Sequence, residues 1–357
     1  MQQEQALIVA ALTAAPPAPE HTGTEWTELL RQARILNVLP QLARAYDGAA
    51  GVPPEVSRHF ESAHRIAERL ALDVHREAER ISTALEPLGI PVVFLKGGAY
   101  VLRDLSAARG RVFSDLDLLV PKEAISAAED RLIRAGWISS HHNAYDQRYY
   151  RQWMHEIPPL RHLHRGTIVD LHHTITPPTC RFPVDGAQLL NSLHKLELLP
   201  NSHTLSNTDM ALHAVIHRFM EGEWANGFRD LLDLHRLLGE FGSNADFGGE
   251  LISRSQELGL EMPLRQTLRQ LLRIFSTPLP PALEVAAHHS PTHLSERLTG
   301  ALLGEVLTPR KADTKPPERR WAAPLLYLRA HWLRMPPHLL ATHLLRKALR
   351  PAQESSS

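Results

Sequence analysis

The stretch Ser114-Asp115-Leu116-Asp117-Leu118-Leu119-Val120 alternates acid with leucine and stops at Pro121. In a β-strand residues two apart share a face, so Asp115 and Asp117 are expected to project together while Leu116 and Leu118 pack inward. Two carboxylates held side by side repel unless a cation lies between them. An isolated acid pair on a strand says little, because edge strands often carry exposed acids. The reading therefore turns on what surrounds the pair.

Upstream, Pro91-Val92-Val93-Phe94-Leu95 is a short apolar, β-branched run ended by Lys96-Gly97-Gly98, which predicts a buried strand running into a tight turn. Ala99 to Leu105 then reads as a helix. Downstream, Lys122 to Ala135 is a helix stopped by Gly136, and Trp137-Ile138 opens another strand. His155 to His164 and Thr167 to Ile175, joined by Arg165-Gly166, predict a β-hairpin. The alternation implies a layer of strands and helices of roughly 90 residues.

Inside that layer a third acid, Asp170, lies in the apolar run Ile168-Val169-Asp170-Leu171-His172, with His172 on its face. Glycines at Gly97 and Gly98 let backbone approach a phosphate, and a helix N-terminus favours negative charge. A glycine turn, a two-acid strand and a later one-acid strand together describe a metal–triphosphate site. Mg²⁺ suits it, being small, oxygen-seeking and commonly held by one or two carboxylates plus substrate phosphates. Two such ions clamp the attacking and leaving oxygens of an in-line displacement. Arg103, Arg109 and Arg111 precede the strand, where they read equally as pyrophosphate partners or as a solvated loop.

The flanks read as helical. Pro53-Pro54-Glu55 starts a pattern that runs from Val56 to Leu88 and is expected to cover the next unit. After Pro177-Pro178 strand signals fade, and Asp209–Met220, Trp224–Phe241, Met262–Phe275 and Pro291–Leu307 carry helical faces. The chain thus divides into an N-terminal helical region (1–89), a core (90–180), a helical substrate or lid region (181–307) and a linker with a basic helical segment (308–357). Arg310 to Arg350 is rich in Lys and Arg, as an arm for an anionic membrane or an acidic partner would be. Packing on its own domain is the preferred reading, because Leu339, Leu340, Leu344 and Leu345 recur at helical spacing.

Composition narrows the classes. Lys plus Arg and Asp plus Glu both number 39, so no global positive charge argues for a nucleic-acid partner. The single Cys180 excludes an intrachain disulfide and a thiolate cluster and fits a cytoplasmic location. The apolar stretch Ala6–Ala15 lacks the basic flank of an export signal. His213 and His217, one helical turn apart, read as packing rather than metal ligands, and His155, His162, His164 and His173 as surface. Asp230 and Asp233 read as helix-surface acids, with a substrate-orienting role as the alternative.

The ordered set Leu95-Lys96-Gly97-Gly98, Arg109 and Arg111 ahead of Ser114 to Val120, Gly136-Trp137, Val169-Asp170-Leu171-His172-His173 and Phe228 to Asp233 resembles the DNA polymerase β-like nucleotidyltransferase superfamily. Within it the chain is most similar to the bacterial group usually called uncharacterised nucleotidyltransferases. The resemblance implies an α+β fold: a small mixed β-sheet with flanking helices, followed by an all-helical C-terminal region. It implies Asp115, Asp117 and Asp170 as catalytic metal ligands for Mg²⁺ or Mn²⁺. Lys96, Gly97, Gly98, Arg109, Arg111 and Ser114 are expected on the nucleotide side. The implied reaction moves a nucleoside monophosphate from an NTP to a hydroxyl of a small molecule, peptide or protein. A non-catalytic binding module and a nucleic-acid-directed enzyme are the alternatives. One departure stands out: Gly98 occupies the place of a common serine, and Lys96 is the candidate to replace its phosphate contact as a point charge.

Overall fold

The computed structural model describes residues 7–13, 21–139, 147, 150–151, 153–288, 293–309 and 316–335. Its centre is one seven-stranded mixed sheet in the order β3-β4-β5-β2-β1-β7-β6. The strands are β1 (Val92–Phe94), β2 (Asp115–Leu119), β3 (Trp137–Ser139), β4 (Leu160–His162), β5 (Ile168–His172), β6 (Leu193–Lys195) and β7 (Ser202–Leu205). β2 runs parallel to β5 and β1 parallel to β7, and the other neighbours are antiparallel. Val92, Val93 and Phe94 are all buried, as a strand covered on both faces requires. The expected hairpin is present as β4 and β5.

The sheet reaches beyond residue 180. β6 and β7 complete one edge, and the helical C-terminal region begins at Asn207 rather than at 181. Ser202-His203-Thr204-Leu205 is too short and polar to show a period of two in sequence. It becomes a strand because β1 offers it an open edge. The Ser202 and Ser82 hydroxyls, 2.6 Å apart, then satisfy each other in the interior.

Helix Ile125–Arg134 packs on β3 and β5, and the helix Pro54–Leu85 packs beside the sheet with Ile81 and Leu85 fully buried. Its buried Glu77 accepts hydrogen bonds from Arg165 at 2.6 Å and Thr167 at 3.0 Å, which pins the helix to the β4–β5 connection. That carboxylate is tolerated inside because it is multiply paired. Gly110, at φ +73°, joins the N-terminal helices to the core. A Cβ there would lie 2.6 Å from the Pro40 carbonyl oxygen.

The helices Asn207–Met220 and Gly227–Phe241 pack on each other and on the sheet's Lys96 end. Ser206 caps the first, and its buried Asp209 is held by Arg254 at 2.7 Å. The described part of the basic segment is integrated into this region. Helix Ala323–Arg334 buries Leu326 and Leu333, Arg329 donates to the Phe219 carbonyl at 2.8 Å, and Arg320 donates to the carbonyls of Glu305, Val306 and Thr308. Leu339, Leu340, Leu344 and Leu345 lie outside the described residues. Among the described residues no helix is long and apolar enough to cross a membrane. Leu326→Ala should lower stability in thermal melts by about 2–5 kcal/mol, the usual cost of a core leucine. An unchanged melting temperature would instead mark 316–335 as a detachable arm.

Candidate active site

The parallel pairing of β2 with β5 sets Asp117 beside Asp170 and Leu119 beside His172. Partners in register present their side chains on one face, so Asp117, Asp170 and His172 share it. Asp115, one step before, starts the strand and is exposed, with the Ser114 hydroxyl donating to it at 2.9 Å. At the end of β1 the Leu95 amide donates to the Asp117 carbonyl at 2.9 Å, which fixes where the next residue begins. That residue is Lys96, in the left-handed region at φ +45°, and its Nζ lies 2.7 Å from Asp117 Oδ1. His172 Nε2 lies 3.1 Å from the same oxygen and 3.4 Å from Glu156 Oε2. Among the described residues, His155, Glu156 and His172 bring one ligand atom each within 4.8 Å of one another. The aspartate trio is more open, with Lys96 inserted at Asp117.

Electrostatics separates two adjacent carboxyls. Burial opposes ionisation of Asp117, but the Lys96 ammonium and His172 outweigh it and hold its pKa well below the usual range. Asp170 is pushed up to about 7, first by burial and then by the charges of Asp117, Glu156 and Asp115. Its Oδ1 is buried without a hydrogen-bond partner. An orphaned carboxylate oxygen next to a second carboxylate is the donor chemistry that fits a hard divalent cation.

The glycine turn has a packing role in the fold. Neither Gly97 nor Gly98 has positive φ; the strained backbone position is Lys96. Gly97 lacks a side chain because Arg111 Nη1 and the Phe113 ring, 2.6 Å from an ideal Cβ, fill that space. Arg111 in turn donates to Asp233 at 2.7 Å and lies 3.9 Å from Asp230, tying the core to helix Gly227–Phe241. Asp233 is therefore a buried ion-pair partner rather than a helix-surface acid. Arg109 is exposed, and Arg103 bonds Asn207 at 2.8 Å on another face.

Between the core and the helices lies a cleft of about 200 Å³ lined by Lys96, Gly97, Arg111, Ser114, Asp115 and Asp117 on one wall. His217, Glu221, Glu223, Arg229, Asp230 and Asp233 line the other. Asp170, beside Asp117 in the sheet, does not line the cleft. A more open groove of about 730 Å³ near Arg103 and Arg254 holds none of the three aspartates, and Arg254 there is already paired with Asp209 and Glu257. Asp115 and Asp117 thus lie in the smaller of the two.

Several residues escaped the sequence reading. Glu156 reaches the site through an isolated bridge to His172, a long-range pairing with no local signal. His155 is half-buried and His162 fully buried, not surface: the His162 ring lies edge-on to Trp137 at 4.9 Å, and its Nδ1 accepts the His164 amide at 3.2 Å. His213 is buried, and burial followed by Lys96 drives its pKa well down, whereas His217 lines the cleft and falls to about 4 for the same reasons. Glu221 falls to about 2, because His217, Arg334 and two backbone amides overcome its burial.

A mixed sheet carrying acids on adjoining parallel strands, a glycine turn at the preceding strand's end and a helical wall across the cleft define a nucleotidyltransferase-class α+β fold. Residues 22–276 match the family described as "Uncharacterised nucleotidyltransferase". That span is more than half of the chain, so the protein belongs to this family and is a transferase. Neither a curated protein nor a solved structure matches the chain.

A stability prediction follows from Asp170. A carboxyl whose folded pKa exceeds its unfolded value costs stability above the folded pKa, and the cost fades as pH falls toward the unfolded value. In EDTA, Asp170→Asn should therefore stabilise the protein at pH 8, because the neutral amide removes a buried charge and its repulsion from Asp117, Glu156 and Asp115. The gain should shrink steadily as pH drops from 7 to about 4. Equal melting curves for both proteins at pH 8 would refute the buried, partnerless carboxylate.

Proposed function

We propose that the protein moves a nucleoside monophosphate from an NTP to a hydroxyl of a small molecule, peptide or protein, with Mg²⁺ or Mn²⁺ held by Asp115, Asp117 and Asp170. The observation that carries this reading is the register pair Asp117–Asp170 with the buried, partnerless Asp170 Oδ1. A bound divalent ion would supply charge neutralisation for the triphosphate and polarise the phosphorus under attack.

The chain's own residues do the rest by position and charge. The acceptor oxygen forms a bond to the α-phosphorus, the bond to the β-phosphate oxygen breaks, and pyrophosphate departs. The hydroxyl proton leaves to solvent through the carboxylate-lined cleft. Arg111, locked on Asp233 and stacked over Phe113 at 5.1 Å, holds the two walls in register. The buried Cys180 fits a cytoplasmic setting.

The lining of the cleft favours a small acceptor over a nucleic acid. Six carboxylates (Asp115, Asp117, Glu221, Glu223, Asp230, Asp233) face three permanent cations (Lys96, Arg111, Arg229). Polyanion grooves show the opposite balance. A purely binding module has no need of two buried carboxylates side by side, each of which costs folding energy.

Incubation with labelled ATP, GTP, CTP and UTP plus Mg²⁺ or Mn²⁺ tests the reading through pyrophosphate release or self-labelling. Asp115→Asn and Asp117→Asn should each abolish divalent-dependent turnover. Asp117→Asn should also lower the melting temperature, because it removes the negative charge that neutralises the part-buried Lys96. Turnover at wild-type rate in either variant would remove that residue from the metal set.

A further inference from the structure

We infer that Lys96 is an exchangeable counter-cation: it occupies Asp117 Oδ1 in the metal-free protein, and a divalent ion gains that oxygen only by displacing it. The inference rests on the metal site proposed above and concerns how that site is loaded.

Asp117 Oδ1 accepts from Lys96 Nζ at 2.7 Å and from His172 Nε2 at 3.1 Å. A carboxylate oxygen offers about two lone-pair sites, so Oδ1 is filled, while neither donor engages Oδ2. A cation that ligates Oδ1 must remove one donor. One that takes Oδ2 alone sits against the Lys96 ammonium and is repelled by it. The two donors are unequal. His172 is 1% exposed, sits on the β5 backbone and is also within 3.4 Å of Glu156 Oε2. Lys96 has a flexible four-carbon stem, a side chain 23% exposed and a place in the lining of the cleft. Lys96 is the donor free to leave.

The remaining charges say why something must replace it. Asp115, Asp117, Glu156 and Asp170 crowd together around Lys96 and His172. The ammonium answers Asp117 and leaves Asp170 Oδ1 unpaired. One monovalent group therefore neutralises half of a two-carboxylate site. A divalent ion between Asp117 and Asp170 answers both. Lys96 holds its post at a left-handed backbone, φ +45°, a conformation that persists in a non-glycine residue only where neighbouring contacts over-determine it. The Leu95 amide on the Asp117 carbonyl is one such contact. Lys96 thus stabilises the empty fold and competes with the metal for the same oxygen.

The test is Mn²⁺ binding in the absence of nucleotide, followed by the electron paramagnetic resonance of free Mn²⁺. Wild type, Lys96→Met, Lys96→Arg and Asp170→Asn are compared, with melting curves in EDTA and in Mn²⁺. Lys96→Met should melt lower in EDTA, bind Mn²⁺ at least about tenfold more tightly than wild type, and gain more in melting temperature from Mn²⁺. Lys96→Arg, which keeps the charge, should bind no more tightly than wild type. If Lys96→Met does not fold, Lys96→Gln, also uncharged, gives the same comparison. Unchanged or weaker Mn²⁺ affinity in the neutral variants overturns the exchange while leaving the metal site standing. Absence of Mn²⁺ binding in every protein overturns the exchange, and binding untouched by Asp170→Asn overturns the metal site itself.

Discussion

The parallel register that puts Asp117 against Asp170 in mid-sheet is the constraint from which the rest of the structure follows. Two carboxyls on adjoining strands cannot both ionise in a poorly solvated place without compensation. The fold supplies it unevenly. Asp117 takes an ammonium and an imidazole, while Asp170 takes nothing and holds its proton to about neutral pH. The same environment that makes the pair costly to fold is what the proposed cation would relieve. Structure and chemistry are here one set of charges.

Packing around the pair serves to keep it in place. The end of β1 is tied to Asp117 through the backbone, so Lys96 arrives opposite the carboxylate. Gly97 leaves room for Arg111 and Phe113, and Arg111 reaches across to Asp233 on the helical wall. A buried pair of this kind contributes little net stability, but breaking one partner is expensive. It therefore acts as a register pin between the sheet and the helices that complete the cleft.

Much of this was legible in the sequence because it is local. The alternation from Asp115 to Leu119, the apolar run ending at Lys96 and the acid in Ile168 to His172 each report their own strand, and the structure places all three together. What was illegible is long-range. β7 exists because β1 needs a partner, not because Ser202 to Leu205 has strand character. Glu156 joins His172 through a bridge that no spacing announces. The glycines looked like a phosphate cradle, yet Gly97 is explained by the side chain of Arg111, a residue fourteen positions later in the chain whose path only the folded protein reveals. Lys96 likewise read as a phosphate contact, and the structure places its ammonium on a carboxylate.

The most direct test of the central claim is anomalous diffraction at the manganese edge. It requires crystals grown with Mn²⁺ and a non-hydrolysable NTP analogue. The account predicts a peak between Asp117 and Asp170, also ligated by Asp115, at about 2.0–2.2 Å from carboxylate oxygens, with the analogue's phosphates on the same ion and Lys96 withdrawn from Asp117. A peak seated instead on His155, Glu156 and His172, with Lys96 still on Asp117, would contradict it.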